Sequence, residues 1–418
     1  MGIQEINPVI DEFISLCERT KEPVNLPVRL LDEVKQIDAN SLSKEDRSRV
    51  LKCVAFFSIH PDPDTSRDSI AYVVDGIEER PSELDYLISE LKPMLLGFGS
   101  KKKQSGTSQP GLNPKLGYSF DEDENKRKWQ ENGGLMSIAL FYTVLLTMKN
   151  ERVSVNLNWI IPGIMNLLDD TTDLVNIKLN GVLLLKTFVT HCFDVSGTAD
   201  SKWITFNQTG MFGMVEPILV NMCYFLPPSH NNSDVILESV YDCLIALYRR
   251  NFDLPVMKRY LGDTLLSKVI LQYTIPKIGI KYENVLEYII ETTTRIVKLL
   301  GKESVLYMQR IIYVFGECVV RDPFVTTLKN REIIPNVIGM LETLVDVCPC
   351  DRVQQHRLDF LALVVILYQK YDTEGGVDAA LLQRLQSFLA QLKHEGCDLT
   401  EPCEELVKAH PGLSVLLQ

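Results

Sequence analysis

The sequence predicts an all-α fold, a HEAT/armadillo-like helical-repeat solenoid. Apolar residues recur at i, i+3, i+4 and i+7 along most of the chain, while segments alternating with a period of two are scarce. Helix-length apolar stretches also come in pairs, separated by short turns rich in Pro, Asp or Asn. At 418 residues, 45% hydrophobic and 23% charged, the chain has ample material for a buried core.

The first element, residues 1–96, reads as an acidic helical segment. Residues 1–92 carry 19 Asp and Glu against 11 Lys and Arg, most of the surplus behind the formal charge of −12. An excess of this sign argues against direct nucleic-acid binding, which needs a concentrated cationic surface to displace counterions from phosphate. A basic protein partner fits this segment better. Residues 97–125 are rich in Gly, Ser, Pro and charge, with few apolar side chains to offset ordering entropy, and read as a flexible linker or long loop. Residues 126–418 read as the HEAT-like domain.

Within that domain the stretch from Trp159 to Phe188, WIIPGIMNLLDDTTDLVNIKLNGVLLLKTF, shows how a pair is built. Trp159, Ile160, Ile164, Leu167 and Leu168 share the inner face of a first helix, with Pro162 placed in its first turn, where the missing N–H has no helical partner. Asp169 to Asp173 supply the turn, and the adjacent carboxylates Asp169 and Asp170 point into solvent and cap the following helix. That helix carries Val175, Ile177, Val182, Leu183, Leu185 and Phe188 inward, with Lys178 near its start. Gly181 costs about 1 kcal/mol relative to Ala inside a helix, so close packing against a neighbour is its expected compensation. Further pairs are drawn from 215–225 with 235–250, and from Ile333–Val347 with the helix after Arg352. In VLEYIIETTTRIVKLL the inward face is Val285, Leu286, Ile289, Ile290, Thr293, Ile296, Val297 and Leu300. A helix of this length is marginal alone, and stacking its neighbours supplies the missing burial.

Motifs of chemistry are weak throughout. Asp169 and Asp170 are neighbours in a turn, whereas acid–base catalysis needs carboxylates brought together in separate environments. Cys348, Cys350 and His356 lack a second ligand pair, and His394, Cys397, Cys403 and His410 follow no zinc spacing. Gly97-Phe-Gly-Ser-Lys101 lacks the gap and ending of a phosphate loop. No cofactor, metal site or catalytic residue is expected. The ten cysteines show no framework spacing and the chain opens without an apolar leader, which predicts reduced thiols in an intracellular, reducing compartment; the expected localisation is cytoplasmic and nuclear. No apolar run reaches the roughly 20 residues of a membrane span, so no membrane partner is expected. Arg321-Asp322-Pro323-Phe324 reads as a helix terminator that could also line a partner pocket.

The Trp159–Phe188 stretch, followed by YTIPKIGIKYENVLEYIIETTTRIVKLLG, YMQRIIYVFGECVVRDPF and IIPNVIGMLETLVDVCP, resembles the Tel-two-interacting protein two family over roughly Trp129 to Tyr371. The Leu-Leu-Asp-Asp turn with Lys178 and Gly181 behind it, and the later Asp-Pro-Phe, carry the resemblance. It implies a non-enzymatic subunit of the TTT co-chaperone complex, whose partners are the Tel-two protein and the first Tel-two-interacting protein. Through the heat-shock protein 90 machinery the family supports the maturation of phosphatidylinositol-3-kinase-related kinases and the related transcription-complex pseudokinase. Partner contacts are expected at Asp169, Asp170, Lys178, Asp322, Phe324, Asp351 and Arg352. Two other readings remain: a HEAT transport or assembly adaptor for other cargo, and an enzyme on an α-solenoid. The adaptor would carry Trp/Asn ladders, and the three tryptophans, at 129, 159 and 203, form none.

Overall fold

The computed structural model describes residues 8–96, 127–193, 204–321, 330, 332–374 and 377–417. The expected linker at 97–125 lies outside them. All the regular structure among the described residues is helical, and none of those helices is long and apolar enough to cross a membrane. Contacts divide the chain into two compact units, Met1–Val215 and Glu216–Gln418.

In the first unit the helices are α1 (Pro8–Arg19), α2 (Val28–Lys35), α3 (Lys44–Ala55), α4 (Pro63–Glu79), α5 (Ser82–Leu96), α6 (Gly134–Thr147), α7 (Asn150–Leu168) and α8 (Leu179–His191). Helices from before and after residues 97–126 thus share one unit. Starts follow side-chain caps: Ser43 accepts from the Asp46 N–H at 3.1 Å and Asp62 from the Thr65 N–H at 2.9 Å. The middle of the unit is α6, which packs against α3, α4, α5 and α8. Its sequence GLMSIALFYTVLLT is apolar almost all round, as a helix enclosed by neighbours requires, and Ile138, Ala139, Leu140, Phe141, Val144 and Leu145 are fully buried.

The α7–α8 hairpin differs from the sequence expectation in three ways. First, α7 begins at Asn150, so Pro162 lies in the helix interior and leaves the Asn158 carbonyl without its i+4 donor. Its ring faces solvent, which keeps it out of the core. Second, a π turn over Leu174–Lys178 opens the second helix and rotates its face. Val175 turns outward and Leu183 is half-buried, while Ile177, Leu179, Val182, Leu184, Leu185 and Phe188 are buried. Third, Trp159 is half-buried, lying against Phe141 with centroids 5.3 Å apart. The Gly181 expectation matches the structure. A Cβ there would lie 3.0 Å from the Leu168 nitrogen and 3.1 Å from the Leu167 carbonyl carbon, so the end of α7 occupies the space a side chain would take.

The second unit is a two-layer stack. One layer is α9 (Ser233–Asn251), α11 (Glu283–Leu300), α13 (Ile333–Val347) and α15 (Ala379–His394), each packed on the next. The other is α10 (Leu254–Arg259) with its π-helical continuation Tyr260–Thr274, then α12 (Met308–Phe315) with the π turn Gly316–Val320, then α14 (Arg357–Glu374). A last helix, α16 (Thr400–Ala409), and a short turn at Ser414–Leu417 follow. The predicted inner face of α11 is buried at every position named, from Val285 to Leu300. Gly262 permits the close approach of the π segment to Tyr307: a Cβ would sit 2.2 Å from the Tyr307 hydroxyl, which donates to Asp263 at 2.8 Å.

Candidate protein-interaction surface

The elbow between α7 and α8 places the adjacent aspartates in unequal environments. Asp169 is exposed and forms the C-cap of α7, its N–H donating to the Met165 carbonyl at 2.9 Å. Asp170 is only 1% exposed. Its Oδ1 accepts from the Thr172 N–H at 2.8 Å, the Thr172 hydroxyl at 2.9 Å and the Asp173 N–H at 2.8 Å. The expectation that both carboxylates face solvent and cap the next helix is therefore corrected. Asp173 is that cap, accepting from the Asn176 N–H at 2.8 Å, and Asp170 organises the turn that delivers it. Lys178 closes the π turn, its N–H reaching the Asp173 carbonyl at 3.1 Å.

Asp351 and Arg352 lie exposed on the short helix Cys350–Gln355 of the second unit. Arg352 Nη1 donates to Gln355 Oε1 at 2.9 Å. The turn is tied to the segment after α15 by Gln354 Nε2 donating to the Gly396 carbonyl at 3.1 Å and Arg357 Nε to the Asp398 carbonyl at 3.2 Å. The Cys350 thiol donates to Glu395 at 3.0 Å, a bond that raises the thiol pKa and lowers that of the carboxylate. Asp169, Asp170 and Lys178 thus share one hairpin of the first unit, and Asp351 and Arg352 one turn of the second. Asp322 and Phe324 lie outside the described residues. Among the described residues no group of three or more His, Cys, Asp or Glu is placed to hold a metal ion.

The second layer also displays apolar side chains that sequence reasoning passed over. Leu306 is 75% exposed, Tyr313 66% and Leu358 51%. Tyr313 on α12 and Asp359 and Ala362 on α14 line a groove of about 150 Å³ with Ile312, Glu317 and Arg321. Leu358 lies four residues before Ala362 on α14, so helical spacing puts it beside the groove, and Leu306 ends the 3-10 turn Gly301–Leu306 that precedes α12. The signal was present in SVLYMQRIIYVFGECVV. Its buried stripe is Met308, Ile311, Ile312, Phe315, Val319 and Val320, which leaves Leu306 and Tyr313 as surplus apolar residues on another face. Large apolar side chains gathered at a rim of charge mark contact sites for other proteins.

The Tti2 family model matches residues 50–327. The TEL2-interacting protein 2 of Saccharomyces cerevisiae is 38% identical over 387 residues, spanning 90% of this chain and 91% of the relative. Those matches run through the α7–α8 hairpin and most of the layers described above. The chain belongs to the Tti2 family.

Proposed function

We propose that this protein is a non-enzymatic scaffold subunit of a TTT-like assembly, binding the Tel-two protein and the first Tel-two-interacting protein. With heat-shock protein 90 acting indirectly, the assembly supports maturation of phosphatidylinositol-3-kinase-related kinases in the cytoplasm and nucleus. The name of the yeast relative, TEL2-interacting protein 2, supports the partner. The observation that carries the scaffold reading is the exposed apolar rim of Leu306, Tyr313 and Leu358 on a stack of helices. Stable interfaces bury about 1,200–2,000 Å² in total, and consecutive helices of such a stack can supply that area. In the first unit the exposed Asp169 and the half-buried Lys178, beside the turn that Asp170 organises, offer one further charged contact, and in the second unit Asp351 and Arg352 offer another.

The test is affinity purification of the tagged full-length chain beside a variant carrying Leu306→Asp, Tyr313→Asp and Leu358→Asp. The wild type recovers the other two subunits. The variant keeps its melting temperature and loses at least one of them. Full recovery by the variant refutes the apolar rim, and recovery of unrelated cargo in place of those subunits refutes the assembly.

A further inference from the structure

At the end of the second unit, α16 is a helix none of whose residues is buried. Its apolar side, Cys403, Leu406 and Val407, stays half-buried. The cause is a pocket of about 310 Å³ between α15, α16 and the terminal turn. Leu389, Leu399, Leu416 and Leu417 form its buried floor. The wall is held in place by Gln386 Nε2, which donates to the Val415 carbonyl at 2.8 Å. Ala390 and Lys393, both exposed, stand at the mouth, one turn apart on α15. Lys393 lies near enough to Cys403 to offset part of the upward push that burial gives the thiol.

This is the usual make-up of a small binding site, a mostly apolar cleft of about 300 Å³ or more with a single charged group to orient the occupant. We propose that the pocket receives the C-terminal residue of a partner polypeptide, with an aliphatic side chain between the leucines and its terminal carboxylate on Lys393. Leu, Ile or Val at a chain end places both groups on one Cα. An internal Asp or Glu carries its carboxylate at the tip of the side chain, which would have to enter the leucine floor uncompensated. Capture of a terminal carboxylate is a recurring mode of peptide recognition, and this site adds an aliphatic selectivity to it. The pocket is distinct from the Leu306–Tyr313–Leu358 rim, and the peptide assay requires no other subunit. Its failure leaves the co-purification result standing.

The experiment is fluorescence anisotropy on the full chain, using a dye-labelled hexapeptide ending in Leu-Leu with a free carboxylate, the same peptide amidated, and octanoate as competitor. The free-acid peptide binds saturably, and amidation weakens it about tenfold, the factor that 1.4 kcal/mol represents. Lys393→Gln, a change at an exposed position that leaves the melting temperature unaltered, costs the free-acid peptide the same factor and abolishes the difference between the two peptides. Ala390→Phe, which plugs the mouth while keeping the lysine, removes binding of both. Displacement of the peptide by octanoate supports the shared pocket. Absence of saturable binding, equal binding of both peptides to the wild type, or peptide that octanoate fails to displace would each overturn the proposal.

Discussion

Replacing Asp170 with alanine removes three hydrogen bonds at once, from the Thr172 N–H, the Thr172 hydroxyl and the Asp173 N–H. A hydrogen bond to a charged group contributes about 1.5–3 kcal/mol, and the three are not additive because Thr172 is exposed and its amide can recruit water. The expected loss is about 2–3 kcal/mol. Asp173→Ala removes a single N-cap and costs about 1 kcal/mol. Asp169→Ala, at an exposed C-cap position, stays within about 0.5 kcal/mol. Asp170→Asn keeps an acceptor oxygen without the charge and falls between the first two. The assay is urea unfolding followed by tryptophan fluorescence. Trp129 and Trp159 lie in the first unit and the sequence of 216–418 holds no tryptophan, so the signal does not come from the second unit even if the two unfold separately. With a slope of about 2 kcal/mol per molar, the Asp170→Ala midpoint drops by roughly 1 M urea. A midpoint equal to that of Asp169→Ala would refute the reading of Asp170 as organiser of the turn.

Gly181→Ala places a Cβ 3.0 Å from the backbone of α7, so the gain in helix propensity is outweighed and the net cost is about 1–2 kcal/mol. Gly213→Ala, with nothing within 4 Å of the added carbon, serves as the control and is neutral or stabilising in the same melt. Burial pushes the Cys348 thiol from 9.0 up to about 11, so the folded chain holds this proton where the unfolded chain releases it. Stability is full below pH 9 and falls as pH rises toward 11, and the Cys348→Ala variant shows a shallower alkaline slope in thermal melts. The Arg295–Asp242 pair, 2.6 Å apart with side chains 43% and 31% exposed, couples α11 to α9 at the surface. A double-mutant cycle at Arg295 and Asp242 yields no more than about 1 kcal/mol, shrinking with salt, and a larger salt-independent coupling would contradict its placement.

Much of the helical layering was legible in local pattern. The inner face of α11 follows from a period of 3.6 residues, and Ile333–Val347 is a helix over the very range its apolar pattern marked. The same pattern misplaced Val175 and Leu183, because a π turn inserts a residue into the cycle and leaves no mark in composition. It also merged two aspartates into one role. Nothing in a pair of adjacent carboxylates distinguishes the one that faces water from the one enclosed by its own turn. Leu306 and Tyr313 were visible as an apolar surplus just before and within α12, but a surplus becomes a surface only once the neighbouring helices have claimed the other faces.

The sequence by itself determined the helical class, the pairing of helices about polar turns, the inner stripe of each well-formed helix and the family resemblance. These depend on the spacing of residue types along a few turns, which the backbone's own geometry reads out. Tertiary structure alone decided that Asp170 is buried while Asp169 is not, that α16 stands over a leucine-lined pocket, and that helices from before and after residues 97–126 share one unit. Burial is a property of what the rest of the chain places around a side chain, and neighbours distant in sequence leave no imprint on local periodicity.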